Sequence, residues 1–282
     1  CDEAKPWAAG DSFTKQPNRS CPFVPSPPPP APVPVPPAPP SAPVNVQVIW
    51  RGNSTFPYNK GAMVVALPGG RMAAASQAGM NEGTPDMRIL YAVSRDGKTW
   101  PAEWAAAVPE PAGQPQWAQW QPVLFLAPSG VLWLFYSAGP DSANPNLLFA
   151  STTDHASGFT QWAPRRLILN ASQQEGGRRV IWPINRVVIS PVDGAWLLPC
   201  DYGCGNAPTG TFMVRSESRG AKWSADDPLP GIQTHNICPE PAVVAVNRTT
   251  MLALIRSTKP GFLQSFSHDG GRHWTPAVAS AV

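Results

Sequence analysis

Long apolar stretches are absent from this sequence. None reaches the roughly 18 residues that a membrane-crossing helix needs, because Pro, Gly or Ser interrupts even the stretch from Val123 to Tyr136. Charge is also scarce: Asp, Glu, Lys and Arg make up 14% of 282 residues, and the net charge of +3 comes from scattered cations. With no basic block or basic helix, a nucleic-acid or other polyanion partner is not expected. Histidines number four, at 155, 235, 268 and 273, too scattered for a metal site, and no cofactor is expected. Of the five cysteines, an odd count, at least one is unpaired or bonds to something outside the sequence. Cys1 with Cys21 is the expected pair, while Cys200 and Cys204 form either a local disulfide or buried thiols. No amphipathic run at helical spacing outlasts a turn or two, which leaves sheets as the building element.

Proline, in contrast, is abundant, with 37 residues concentrated near the start. From Pro22 to Pro43 the chain is almost entirely Pro, Ala, Val and Ser, a composition that favours extended polyproline II and builds no core. The expected organisation is a short head (1–21), a Pro-rich linker (22–44) and a folded region (45–282). Sequons at Asn18, Asn53, Asn170 and Asn247 point to a secretory route. The Ser-Pro-Pro-Pro-Pro and Ala-Pro repeats are similar to the hydroxyproline-rich stalks of plant and green-algal wall glycoproteins, so an extracellular or cell-wall location is expected, with the Pro-rich segment as a wall or matrix anchor. The chain begins with Cys1 and shows no basic-then-apolar leader, which reads as a start that was processed or lost.

The folded region repeats one phrase. Its fullest copy is Ser267-His268-Asp269-Gly270-Gly271-Arg272-His273-Trp274, and Ser94-Arg95-Asp96-Gly97-Lys98-Thr99-Trp100 is one residue shorter. Weaker copies run from Ser216 to Trp223 and from Ser151 through Asp154 and Gly158 to Trp162. Gly supplies the positive-φ turn positions, the Asp carboxylate accepts from nearby backbone N–H groups and the Trp packs beneath. Before each copy come two short apolar runs around a turn at Gly70, Gly130, Gly194 or near Thr250. Repeats of about 40–50 residues with several short strands indicate a β-propeller. The phrase resembles the Asp box of the sialidase (neuraminidase) superfamily, which implies an all-β, sialidase-like propeller of four-stranded blades and no chemistry for the box itself.

In a propeller the first strand of each blade lines the axis, so aligning copies on their turns predicts which side chains share a funnel. Ten residues before the turn stand Lys60, Trp120 and Glu240, with Ile184 in the third copy; six after it stand Ser76, Tyr136, Cys200 and Arg256. The passage from Cys238-Pro239-Glu240-Pro241 to Leu254-Ile255-Arg256-Ser257 resembles the sialidase segment that supplies a catalytic Glu and one arginine of the substrate-binding triad. That resemblance implies that Glu240 polarises a tyrosine nucleophile and that Arg256 binds a sugar carboxylate as a planar fork; without it, the two are an ion pair between adjacent strands. Asn81-Glu82-Gly83-Thr84-Pro85-Asp86 occupies the place of the loop carrying the family's general acid, which makes Glu82 the matching carboxylate and Asp86 its understudy. A general acid there needs a carboxyl whose pKa is raised by partial burial. Asp201 either faces the funnel with Tyr136 or serves as a loop hydrogen-bonder.

Departures from the family pattern set the alternatives. Tyr58-Asn59-Lys60-Gly61 stands where the family opens with an aromatic-Arg-Ile-Pro phrase, and Lys60 replaces the arginine's charge but not its bidentate geometry. Four blades can be counted where the family has six, and none of Tyr58, Tyr91, Tyr136 and Tyr202 follows Arg256, which reads as a fragment or a truncated gene model. The expected function is a secreted sialidase-like glycoside hydrolase acting on sialic acid or another acidic sugar, with glycan or polysaccharide as its partner. The alternatives are a non-catalytic carbohydrate-binding propeller, in which Trp120 stacks on sugar rings, and an extracellular structural or interaction protein.

Overall fold

The computed structural model describes residues 47–108, 116–141, 146–173, 180–203, 209–232, 238–257 and 261–281. The expected head and Pro-rich linker of residues 1–44 lie outside the described residues, as do Cys1, Cys21 and Cys204. The rest is an all-β arrangement of antiparallel sheets. Blade 1 comprises β1 (Tyr58–Ala66), β2 (Met72–Gly79), β3 (Arg88–Ser94) and β4 (Ala105–Ala106). Blade 2 follows with β5 (Ala118–Leu126), β6 (Leu132–Gly139), β7 (Leu147–Thr153) and β8 (Arg166–Asn170). In blade 3 the inner position is split into β9 (Ile181–Pro183) and β10 (Val188–Ile189), both paired with β11 (Trp196–Tyr202), before β12 (Gly210–Ser216) and β13 (Ser224–Ala225). Blade 4 contains β14 (Ala242–Ala245), β15 (Met251–Arg256), β16 (Phe262–Ser267) and β17 (Val278–Ala279).

Successive side chains on a strand face opposite ways, and the middle strands are apolar on both faces, so neighbouring blades pack face to face. Ala73, Ala75, Ile89 and Tyr91 of blade 1 pack with Leu124, Leu134, Tyr136 and Phe149 of blade 2. Phe135, Leu148 and Ala150 of blade 2 pack on Trp196, Leu198, Phe212 and Val214 of blade 3. Leu197 and Met213 then meet Val243, Met251, Ala253 and Ile255 of blade 4. Each fully buried Leu, Ile, Val or Phe stabilises the stack by about 1.5–3 kcal/mol relative to exposure. The other face of blade 1 is covered by Trp50, Phe56 and Trp104, with the Trp50 and Trp104 rings stacked 5.4 Å apart.

The repeated phrases are the hairpins between the third and fourth strands. Asp96 Oδ1 accepts from Lys98 N at 2.8 Å and Thr99 N at 2.7 Å, and these bonds hold its carboxyl well below the usual range. Asp269 Oδ1 accepts likewise from Arg272 N and His273 N at 3.1 and 3.0 Å. In the third copy Ser218 replaces the Asp, accepting from Lys222 N at 2.7 Å. Trp223 and Trp274 each donate Nε1–H to the carbonyl of the glycine three residues earlier, at 3.1 Å. The later boxes also lean on the preceding blade: Tyr91 Oη donates to Phe159 O at 2.9 Å, and Arg215 Nη2 to Gly270 O at 2.8 Å. Gly271 has φ 84°, and a Cβ on it would stand 2.6 Å from Leu197 Cδ1, so only glycine fits.

The sheet registers correct one expectation. Met72, Leu132, Trp196 and Met251 each pair with the Ser or Thr at the end of the third strand: Ser94, Thr153, Ser216 and Ser267. Counting from these, Arg256 shares the position of Gln77, Ser137 and Asp201, not that of Ser76, Tyr136 and Cys200. The connection in blade 4 has the same five residues as those of blades 1 and 2, but Thr250 stands one register position after Gly70 and Gly130, so an alignment anchored on Thr250 is displaced by one. Glu240 shifts for the same reason, and matches Gly61 and Gln121 instead of Lys60 and Trp120.

Candidate functional site

Strand direction gives every blade two ends. Tyr58 pairs with Gly79 and Ala78 with Arg88, so the start of β1, the end of β2 and the β2–β3 loop share the end opposite the boxes, termed the rim. Among the described residues, two charged clusters occupy it.

The first belongs to blade 1. Lys60 Nζ lies 2.5 Å from Glu82 Oε1, and Tyr58 Oη donates to Glu82 Oε2 at 2.9 Å. Tyr58 and Lys60, two apart on β1, flank a carboxylate carried by the β2–β3 loop. The Lys60 hydrogen bond, opposed by partial burial, lowers the Glu82 pKa. That direction is the reverse of what a general acid at neutral pH needs; as placed, Glu82 is an ionised base. Desolvation and the Glu82 contact push the Tyr58 hydroxyl up to about 12. Asp86 is turned to loop structure, accepting from Met80 N at 2.7 Å, and a Thr84 side-chain hydrogen bond leads the causes that lower its pKa.

The second cluster lies at the seam of blades 3 and 4. Arg256 Nη1 donates to Glu240 Oε1 at 2.9 Å, with the two side chains 51% and 38% exposed, so both heads reach solvent. Glu240 has φ 44°, a left-handed conformation that costs a non-glycine residue roughly 1–2 kcal/mol. Its N–H is directed at Asp201 Oδ2, 3.3 Å away, and Arg256 N donates to Pro239 O at 2.7 Å. Asp201 is fully buried; desolvation, reinforced by the Glu240 charge, raises its pKa to about 8.

Left-handed residues recur at this level of every inner strand: Gly61, Gln121, Asn185 and Glu240. Strain repeated at one rim follows the pattern of sites where over-determined backbone presents functional groups. Gln121 N donates to Gln77 Oε1 at 2.8 Å, as Glu240 N does to Asp201, so a side chain at the shared second-strand position clasps the next blade.

Other expected residues are placed differently. Trp120 is buried beside Met87, Ala118 and Tyr58, so its ring offers no open face for a sugar. Tyr136 is buried in the seam of blades 1 and 2 and stacks on Phe149, centroids 5.9 Å apart. Cys200 is buried in β11, and Cys238 is disulfide-bonded. Tyr58 was passed over in the sequence; its i, i+2 spacing to Lys60 is the signal that places both on one face of the strand. A cleft at the box end, lined by Arg71, Arg95, Glu103 and Ser157, includes none of the expected site residues. Among the described residues no three His, Cys, Asp or Glu side chains converge as metal ligands, and no helix is long and apolar enough to cross a membrane.

Comparison with known proteins bears on this architecture. A family model described as BNR repeat-like domain matches residues 70–282. No curated protein matches the chain in sequence. Among solved structures, the Hadza microbial sialidase Hz136 aligns with a TM-score of 0.64 at 14% identity, over 80% of this chain and 48% of that one. The intramolecular trans-sialidase from Ruminococcus gnavus, solved with oseltamivir carboxylate, gives 0.65 at 13% identity over 83% and 73%. A family 117 glycoside hydrolase produced by Zobellia galactanivorans gives 0.56 at 16% over 79% and 70%. At these identities the likeness is one of fold: a sialidase-like β-propeller. The chain spans about half the length of the first of these.

Proposed function

This chain belongs to the BNR repeat-like domain family, and on that footing we propose that it is a glycoside hydrolase acting on glycosides of an acidic sugar such as sialic acid, with Glu240 and Arg256 at the centre of its site. The observation that carries this reading is the pair itself: a solvent-reaching guanidinium and carboxylate at 2.9 Å on a strained inner-strand turn. A sugar carboxylate entering the site exchanges places with Glu240 on the Arg256 fork and releases Glu240 to serve as a base. Glu82, ionised and in contact with Lys60 and Tyr58, acts on the proton of a hydroxyl; Lys60 adds a second positive charge for the substrate. Release outside the cell fits this chemistry, and the Pro-rich segment is the proposed tether to a wall or matrix.

Fluorogenic glycosides of N-acetylneuraminic acid, ketodeoxy sugars and uronic acids test the proposal. Turnover by the wild-type chain that falls at least tenfold in Arg256→Ala and Glu240→Gln supports it; no turnover on any of the three classes overturns it. A non-catalytic glycan-binding propeller is the second reading, favoured by the lowered pKa of Glu82, which removes the most accessible proton donor. Binding of acidic glycans without turnover, lost in Arg256→Ala, selects it.

A further inference from the structure

The seams between blades pose a question that the glycosidase reading does not answer. Gln77 and Asp201 hold the same register position, and each aims a side-chain oxygen at the N–H of a left-handed residue in the next blade, Gln121 (φ 53°) and Glu240 (φ 44°). A neutral amide suffices at the first seam. At the second stands an acid, completely buried, whose Oδ1 has no hydrogen-bond partner.

Its surroundings explain how an acid is accommodated. Trp182 pairs with Asp201 across β9 and β11, and Asp201 with Thr211 across β11 and β12. Directly opposed residues place their side chains on one face, Cβ atoms about 4.5–5.5 Å apart. Trp182 Nε1 and Thr211 Oγ1 are likewise buried without partners. The three form a polar row on the face of blade 3 turned toward blade 4, with Leu197 and Met213 further along it. Trp182 and Thr211 are uncharged, and the charged groups acting on Asp201 are Glu240 and Arg256 of blade 4. An ionised Asp201 would add an uncompensated buried charge beside the Glu240 carboxylate, since Arg256 is already engaged by Glu240. A protonated Asp201 keeps Oδ2 as acceptor for Glu240 N–H and presents an O–H to the row, as an amide would.

We propose that Asp201 is the positioning residue of the Glu240–Arg256 site, a neutral acid that fixes the left-handed turn presenting Glu240. The assignment rests on the reading of that pair as the site, but its structural content does not depend on turnover. Asp201 does not reach solvent and makes no contact with substrate. Its raised pKa has a definite sign: the folded chain holds a proton that the unfolded chain releases near pH 4, so stability falls as pH rises from about 4 to about 8 and levels off above.

The test measures Glu240 amide exchange by NMR at pH 6 and unfolding stability from pH 4 to 9, in the wild type, Asp201→Asn and Asp201→Ala. Asn is expected to keep Glu240 protected to within about threefold and to abolish the wild-type decline between pH 4 and 8. Ala is expected to speed exchange at Glu240 by about tenfold, the loss of one hydrogen bond, without equal loosening at Gln121. Wild-type protection of Glu240 in the Ala variant overturns the proposal, as does a pH slope unchanged by Asn. If Ala does not fold, the Asn slope decides. A chain inactive on every acidic glycoside, yet showing the expected exchange and slope, overturns the glycosidase and leaves the positioning role standing.

Discussion

At the box end of the seam between blades 3 and 4, the Arg215 guanidinium is 4% exposed and each of its nitrogens has a partner: Nε lies 3.2 Å from Asp226 Oδ2, Nη1 3.3 Å from Asp193 Oδ2, and Nη2 donates to Gly270 O. Arg272 of the fourth box joins in, 3.0 Å from Asp193 and 2.7 Å from Glu217. At the rim end of the same seam, Asp201 is as deeply buried, yet one of its oxygens has no partner, and the ion pair above it stands in solvent on a strained turn. One end uses buried charge to join two blades. The other accepts unmet hydrogen bonding and backbone strain to present two charged heads, the departure from local consistency that marks a working site.

The comparison breaks most sharply at Arg215. Arg215→Ala takes the cation from Asp226, leaves Asp193 with Arg272 alone and empties a buried site, and should lower stability by about 3–5 kcal/mol, seen as a shift in the denaturant midpoint; a change under about 1 kcal/mol would make the box end no more structural than the rim. Gly271→Ala comes next, combining a left-handed backbone with a clash against Leu197, for about 2–4 kcal/mol in the same measurement. At the rim the ordering of effects reverses. Glu240→Gln and Arg256→Ala should each change stability by no more than about 1 kcal/mol, as expected of an exposed pair, while abolishing turnover or acidic-glycan binding. Stability losses matching those of Arg215→Ala would assign the rim pair to scaffolding. The smallest expected effect is at Lys60: Lys60→Met removes the chief cause of the lowered Glu82 pKa, so Glu82 should protonate at a higher pH. The acid limb of the activity or binding profile then moves upward with little change in stability, and a stationary limb would detach Glu82 from the chemistry.

Much of the scaffold could be read from residue order alone. The Gly–Asp–Trp phrases identified the third hairpin of each blade because turn chemistry is local, and alternating short apolar runs identified sandwiched strands. What stayed hidden depends on contacts between distant segments. The fourth turn carries no glycine to mark its register, and anchoring it on Thr250 displaced Glu240 and Arg256 by one position; the strand pairing moves Arg256 from the row of Tyr136 to that of Asp201. Trp120 looked axial but lies beneath Tyr58, because burial is decided by the neighbouring blade. Tyr58 had no site role in the sequence until the β2–β3 loop brought Glu82 against it. The Arg215 hub, assembled from Asp193, Asp226 and the Gly270 carbonyl, leaves no local trace in the sequence.

The register position shared by Gln77, Ser137, Asp201 and Arg256 is put to two uses. It holds an amide, a hydroxyl, an acid and a base in four successive blades, while residues beside it on the same strands remain apolar and packed. Three of its occupants are buried and bond to the next blade, and Arg256 is the one whose head reaches solvent. One address in the repeat is thus a latch between blades in three of them and an open hand in the fourth.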